Sequence, residues 1–361
     1  MADLTVFSVS DTVALLGRTP TALGRARQLG AELHMNNKAC LRLLTLPIVV
    51  TSLVYASENP DLRCFIDSAS RSLRSRQFDR AINDLIPALR IAKRERASNE
   101  TVSAILNNLG YSYRQVGRCG DAVTVLTEEM RGWDRGMVSL DQARFAGTNL
   151  LQSYLNCGES RSAARSWSKT LVPIARKLNP DSPALASLLA AGALATSAVK
   201  HYQESVNLSN EAITIWEEQP ENYRDRICSA RSNRAVANAY LGKILAAVDD
   251  ADRALKELDS AIAMEPAVQA AALNNIAVVY LMDKRFTKAE DCLQRALALV
   301  DGASLLCEPQ VVANYVFLLR QTGRKRAAAV AQLRAQELYS QRRGKARSQT
   351  IDASEIDSFG K

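Results

Sequence analysis

The stretch Leu273-Asn274-Asn275-Ile276-Ala277-Val278-Val279-Tyr280, with Phe286, Ala289, Leu293 and Ala296 after it, decides how the chain is read. Spacings of three, four and seven put the last four residues on one helix face. Ala277 and Ala289 are small enough to let two helices approach closely, while Tyr280 and Phe286 fill the angle between them. The Ala289 position recurs at Ala81, Ala122, Ala163, Ala247 and Ala328, with Ser205 in the one gap, in steps of 41, 41, 42, 42, 42 and 39 residues. Three residues upstream of each stand Phe78, Cys119, Ser160, Tyr202, Ile244, Phe286 and Lys325. Seven downstream stand Ala88, Glu129, Thr170, Ala212, Ala254, Ala296 and Ala335, so the same face continues. Gly117, Gly158, Gly242 and Gly323 lie five residues before the small residue and mark a turn. A fixed period of this length signals stacked helix-turn-helix units.

The segment Leu106-Asn107-Asn108-Leu109-Gly110-Tyr111-Ser112-Tyr113 repeats the pattern, and with the 273–280 stretch it resembles the first helix of a tetratricopeptide repeat. Phe286, Ala289, Leu293 and Ala296 follow at the spacing that family uses for its second helix. The resemblance runs through the chain as about seven repeats, starting near Leu62, Ser103, Arg144, Ala186, Cys228, Ala270 and Pro309. The fourth is degraded, with Gly192, Thr196 and Lys200 at pattern positions. The 42-residue spacing looks like the kinesin-light-chain class of these arrays. The expected fold is all-α, a tetratricopeptide helix-turn-helix solenoid wound as a right-handed superhelix, stabilised by stacking of neighbours and carrying a concave side.

In this family the position two before the small-residue slot of the first helix faces the concave groove. Asn108, Asn149, Asn233, Asn275 and Asn314 occupy it, with Asp67 in the first repeat and Ala191 in the fourth. An amide carries both donor and acceptor, which suits pairing with a peptide backbone whatever its side chains. The same row can instead bond neighbouring helices and set repeat geometry, and sequence leaves both readings open. Three residues further on lie Ser70, Tyr111, Gln152, Leu194, Val236, Val278 and Phe317, with Tyr240 and Met282 a turn beyond. Arg74, Arg114 and Gln115 make the first half of the groove polar, whereas its second half is apolar, so an extended ligand with one polar and one greasy end is expected. The apolar set also fits ordinary packing between repeats. The paired Lys/Arg and Asn set with which chaperone-binding members grip acidic C-termini is missing, and Asp67 has the wrong sign for it.

Composition narrows the chemistry. Hydrophobic residues make up 47% of the 361, so a core can form, and aromatics only 6%, which with few Gly and Pro favours close-packed helices. The two histidines, His34 and His201, leave metal clusters and Ser/His/Asp triads without their central residue type. Phosphate-cradling glycine motifs are absent, and the adjacent pairs Glu128-Glu129, Glu217-Glu218 and Asp249-Asp250 point apart on a helix, as solvated faces do. The expected function is a non-catalytic scaffold without cofactor or metal that binds a protein or peptide in its groove. A cytoplasmic regulator that senses a peptide is the alternative.

Charge and leader define the ends. The net charge of +8 gathers at residues 320–347, where nine basic residues face only Glu337. This end reads as the polar cap of the last repeat, as a contact for anionic lipid or another polyanion, or, least well supported because only Tyr339 could stack on a base, as a nucleic-acid site. Residues 343–361 read as a flexible tail. Lys38 and Arg42, the apolar run Leu43 to Val54 and the small end Val54-Tyr55-Ala56 form signal-peptide grammar, too short for a membrane span. The expected division is therefore 1–34 a leader of uncertain status, 35–56 a signal peptide, and 57–342 the solenoid, in an exported, periplasmic or extracellular protein of a bacterium. A packing helix at Leu43 to Tyr55 in a cytoplasmic protein is the alternative. Cys64, Cys119, Cys157, Cys228, Cys292 and Cys307 form no CxxC pair and read as small buried hydrophobes rather than disulfides.

Overall fold

The structure is a computed structural model and describes residues 59–219, 223–260, 264–300 and 308–347. The segments 1–34 and 35–56, and most of the tail, lie outside the described residues. Seven helix pairs follow one another. The first helices are α1 (Pro60–Arg74), α3 (Asn99–Gln115), α5 (Leu140–Asn156), α7 (Pro183–Ala198), α9 (Arg224–Tyr240), α11 (Pro266–Met282) and α13 (Glu308–Gln321). Their second helices are α2 (Phe78–Arg94), α4 (Cys119–Asp134), α6, α8 (Tyr202–Glu217), α10 (Ile244–Ser260), α12 (Phe286–Val300) and α14 (Lys325–Arg347). α6 runs from Ser160–Ser166 through a π-helical turn, Trp167–Leu171, into Val172–Ala175. Pro173 has no N–H for the carbonyl four residues back, and the helix widens just before it.

Every second helix begins at the residue three before the recurring small residue, so the period seen in sequence is the period of helix starts. Local chemistry sets the first-helix starts. The Asn59 side chain accepts from the Asp61 and Leu62 amides, Ser98 and Ser182 cap α3 and α7, and Ser139 with Gln142 forms a reciprocal capping box on α5. The turn inside each pair places one residue at positive φ: Arg76, Gly117, Gly158, Lys200, Gly242, Lys284 and Gly323, again one per period. The next residue's amide reaches back to a carbonyl five residues earlier, as from Gln77 to Ser72 and from Arg118 to Tyr113, which closes the helix end. Three repeats thus use a basic residue where glycine fits without strain.

First and second helices are buried differently. α7 and α11 are covered all round, from Leu185 to Ser197 and from Ala270 to Met282, whereas α12 buries one stripe, Ala289, Cys292, Leu293, Ala296 and Val300. From the second repeat onward first helices of successive repeats touch, as α9 does α11, while second helices of successive repeats make no comparable contact among the described residues. The first helices therefore line the inner, concave side. Glycine permits the closest approaches: a Cβ at Gly110 would meet Leu126, one at Gly147 Leu171, and one at Gly192 the Trp167 ring. The buried apolar residues fall into two large clusters that divide at α9, with Ile227 and Ala230 in the first and Cys228, Ala235 and Val236 in the second.

Two expectations are corrected. Cys119, at the start of α4, and Cys157, the C-cap of α5, are joined by a disulfide with Cα atoms 5.6 Å apart, because both lie at helix ends where neighbouring repeats meet. Cys228 and Cys292 are buried thiols as expected, whereas Cys64 is exposed. At the other end α14 continues to Arg347, five residues into the expected tail. Its outer face is not wholly polar: Val330 and Leu333 are exposed beside Arg326 and Arg334.

Candidate peptide groove

The asparagine row is assembled by the stacking itself. The Asn275 amide donates to Asn233 Oδ1 at 2.8 Å, one repeat away at the same helix position. Asn149 donates to Asn107 Oδ1 at 2.9 Å, and Asn314 to Asn274 Oδ1 at 2.8 Å. Amide rungs therefore link repeats 2 and 3, 5 and 6, and 6 and 7, and the line is interrupted where Ala191 stands in repeat 4. Two of the three acceptors, Asn107 and Asn274, were missed in sequence, although the doublets Asn107-Asn108 and Asn274-Asn275 pointed to them. The row is buried, with Asn233 8% and Asn314 0% exposed. Each rung uses one N–H and one carbonyl oxygen of four-way amide capacity, so the donor's carbonyl and the acceptor's N–H groups are not consumed by it.

The remaining expected groove residues divide by half. Val236, Val278, Met282 and Phe317 are buried within the second apolar cluster, and Tyr240 lies at its edge, stacked on Tyr202 with ring centroids 4.9 Å apart. Burial pushes the Tyr202 hydroxyl up to about 12. In the polar half Tyr111 is half-buried and meets Phe78 edge-on at 5.8 Å, and the Arg114 guanidinium lies over the Tyr111 ring at 5.1 Å. Burial raises the Tyr111 pKa above its ordinary value while Arg114 pulls it down. Burial lowers the Arg114 pKa, and Tyr111 and Glu265 counter this.

Glu265, next to the start of α11, belongs to repeat 6, yet it acts on two side chains of repeat 2. It also accepts from Arg76 Nη1 of repeat 1 at 2.9 Å, across 189 residues of chain. The curvature of the array thus brings the first and sixth repeats together over the Tyr111–Arg114 position, a convergence that sequence spacing does not reveal.

Residues 269–300, within α11 and α12, match the tetratricopeptide repeat family. A Rap protein complexed with competence and sporulation factor is similar in structure, with a TM-score of 0.61 at 12% identity, covering 94% of this chain and 92% of that one. A tetratricopeptide repeat protein from Parabacteroides merdae gives 0.53 at 14% identity, over 83% of this chain and 99% of the other. Kinesin-light-chain repeats from Podosopora anserina give 0.44 at 17%, over 54% and 92%. No curated protein sequence matches the chain. The fold is a helical-repeat solenoid like those of tetratricopeptide-repeat structures, to whose family one repeat of the chain matches. No metal-binding group of His, Cys, Asp and Glu occurs among the described residues, and no helix among them is long and apolar enough to cross a membrane.

Proposed function

We propose that the chain is a non-catalytic scaffold that holds an extended peptide, or an extended segment of a partner protein, along its first helices. The observation that carries this is the amide line: Asn149, Asn233 and Asn275 recur at one position per repeat on the first helices, and each of their rungs uses one group of each amide. A peptide backbone offers the matching donors and acceptors at every residue. The likeness over nearly the whole chain to a Rap protein in complex with a factor supports a protein or peptide as the partner. Of the expected groove residues, the part-exposed Tyr240 would serve the apolar end of the ligand and the half-buried Tyr111 the polar end, whereas Val236, Val278, Met282 and Phe317 are taken up by packing between repeats.

The test separates binding from architecture. Asn275→Ala leaves the Asn233 carbonyl without its donor inside the array and should cost about 1–3 kcal/mol in urea unfolding, whereas Asn233→Ala with Asn275→Ala removes both partners and should cost less than the sum of the single changes. A fluorescein-labelled pool of random nonapeptides should bind the full chain saturably. The double variant should bind it about five-fold to a hundred-fold more weakly, as loss of an amide pair predicts. No binding to the parent chain, or equal binding by both proteins, would sink the groove reading and leave the row purely structural.

Export belongs to the same proposal. The 35–56 leader pattern supports it, as does the Cys119–Cys157 disulfide, since such bonds persist in oxidising compartments. N-terminal sequencing of the protein from its own cell should begin at or near Ser57, and an intact Met1 would refute it.

A further inference from the structure

Each second helix turns two positions outward, two and five residues after the recurring small residue, and the repeats differ there in one place. In repeats 2 to 6 the first position holds Thr124, Arg165, Asn207, Asp249 and Asp291, all exposed. The second holds Thr127, Ser168, Asn210, Asp252 and Gln294, exposed from Ser168 onward. Repeat 1 has Asn83 and Ile86. Repeat 7 alone has aliphatic residues at both, Val330 at 71% and Leu333 at 68% exposed. These positions meet solvent even in repeats with a neighbour on each side, so the place of repeat 7 at the end of the described array does not account for the change.

The charge changes on the same helix. In repeats 5 and 6 the outer acids are matched, Asp249 by Arg253 at 3.1 Å, Asp252 by Lys288 at 3.0 Å and Asp291 by Arg295 at 3.7 Å. α14 carries seven basic residues against one acid, Glu337. Arg326 precedes Val330 by one turn and Arg334 follows Leu333, so basic residues flank the apolar pair. α14 is also longer than α12, 23 residues against 15, and its last eight, Ser340 to Arg347, include Arg342, Arg343, Lys345 and Arg347 and no acid.

This combination selects among occupants. A second copy laid on the face would set like charge against like. A nucleic acid would answer the charge but leave Val330 and Leu333 in water, and base stacking calls for aromatic side chains. An anionic bilayer surface answers both, since its phosphates attract the basic residues while aliphatic side chains on one helix face enter the boundary between headgroups and acyl chains.

We infer that α14 is a membrane-surface helix, which lays its outer face on a bilayer containing anionic phospholipid. It is about 35 Å long at the usual rise per residue, and α13 is the one element that packs on it extensively among the described residues. The first helices line the opposite, concave side, so a chain docked in this way keeps its groove clear of the membrane. The inference does not depend on what the groove binds.

The test is co-sedimentation of the full chain with vesicles of phosphatidylcholine alone and of equal parts phosphatidylcholine and phosphatidylglycerol. The mixed vesicles should hold the chain at least about ten-fold more tightly, and raising the salt from about 0.1 to about 0.5 M should weaken that hold. Val330→Ser with Leu333→Ser should weaken it about ten-fold, and Arg326→Gln with Arg334→Gln by about as much. All four side chains are exposed, so the circular dichroism of both variants should match that of the parent. Equal retention by the two kinds of vesicle, retention by neither, or binding that the serine pair leaves intact would overturn the inference, the last by reducing α14 to a general polyanion contact. Light scattering that finds a dimeric parent and a monomeric serine variant would overturn it as well, and would give the face to a second copy.

Discussion

Trp216→Ala should lower stability by about 3–5 kcal/mol and split one unfolding transition into two, because deleting a buried indole leaves an uncollapsed cavity. Trp216 on α8 is 1% exposed and stacks with Tyr223, immediately before α9, at 6.5 Å between ring centroids. It belongs to the first apolar cluster together with Ile227 and Ala230 of α9, and the second cluster begins on that same helix. A solenoid is held by nearest-neighbour contacts, so weakening one joint uncouples the segments on either side. Urea unfolding followed by circular dichroism should show repeats 1–4 and 5–7 melting separately. A single transition shifted by less than about 1 kcal/mol would mean that the two clusters are not joined through this contact.

Removing the Cys119–Cys157 disulfide by paired serine substitution should cost about 4 kcal/mol, the chain-entropy value for a closed loop of this length. The bond spans a sequence separation of 38 and ties the start of α4 to the end of α5, so it fastens repeats 2 and 3 at the edge of the polar half of the groove. The loss should appear in denaturant melts of the oxidised parent against the double serine variant, and reduction of the parent should reproduce it. If parent and variant unfold at the same denaturant concentration, the two thiols are neighbours without being bonded in solution.

The period of the helix pairs was legible in sequence because it depends on local spacing, while the first helices start one to four residues before the expected repeat starts, as Asn99 does before Ser103. The residues three before each small residue, Phe78 to Lys325, were read as sharing its helix face, and each proves to be the first residue of a second helix. Four of the seven turn residues were seen as glycines. Arg76, Lys200 and Lys284 were not, since a long basic side chain carries no sign that its backbone will adopt positive φ. The disulfide left a fainter trace. Its separation of 38 is close to one period, which places two helix-end cysteines on adjacent repeats, but nothing in the spacing says that they face each other.

The site was legible in outline only. Sequence placed the asparagines on one helix position, and stacking determines that they bond one another and that Asn107 and Asn274 act as acceptors. The meeting of Arg76 with Glu265 depends on the summed curvature of five repeats, a small rotation per unit that no single repeat encodes. Likewise Arg114 could be assigned to the polar half of the groove, but the lack of a carboxylate beside it is a property of the assembled array.

The measurement that bears most directly on the central claim uses the same nonapeptide pool carrying a benzophenone at its middle residue. After irradiation with the full chain, peptide mass spectrometry locates the adducts. The groove account predicts them on α3, α5, α9, α11 and α13, concentrated near Tyr111, Arg114 and Tyr240 and suppressed in the Asn233→Ala, Asn275→Ala variant. Adducts confined to the second helices, around the exposed Leu245 or the Val330–Leu333 face of α14, would contradict it.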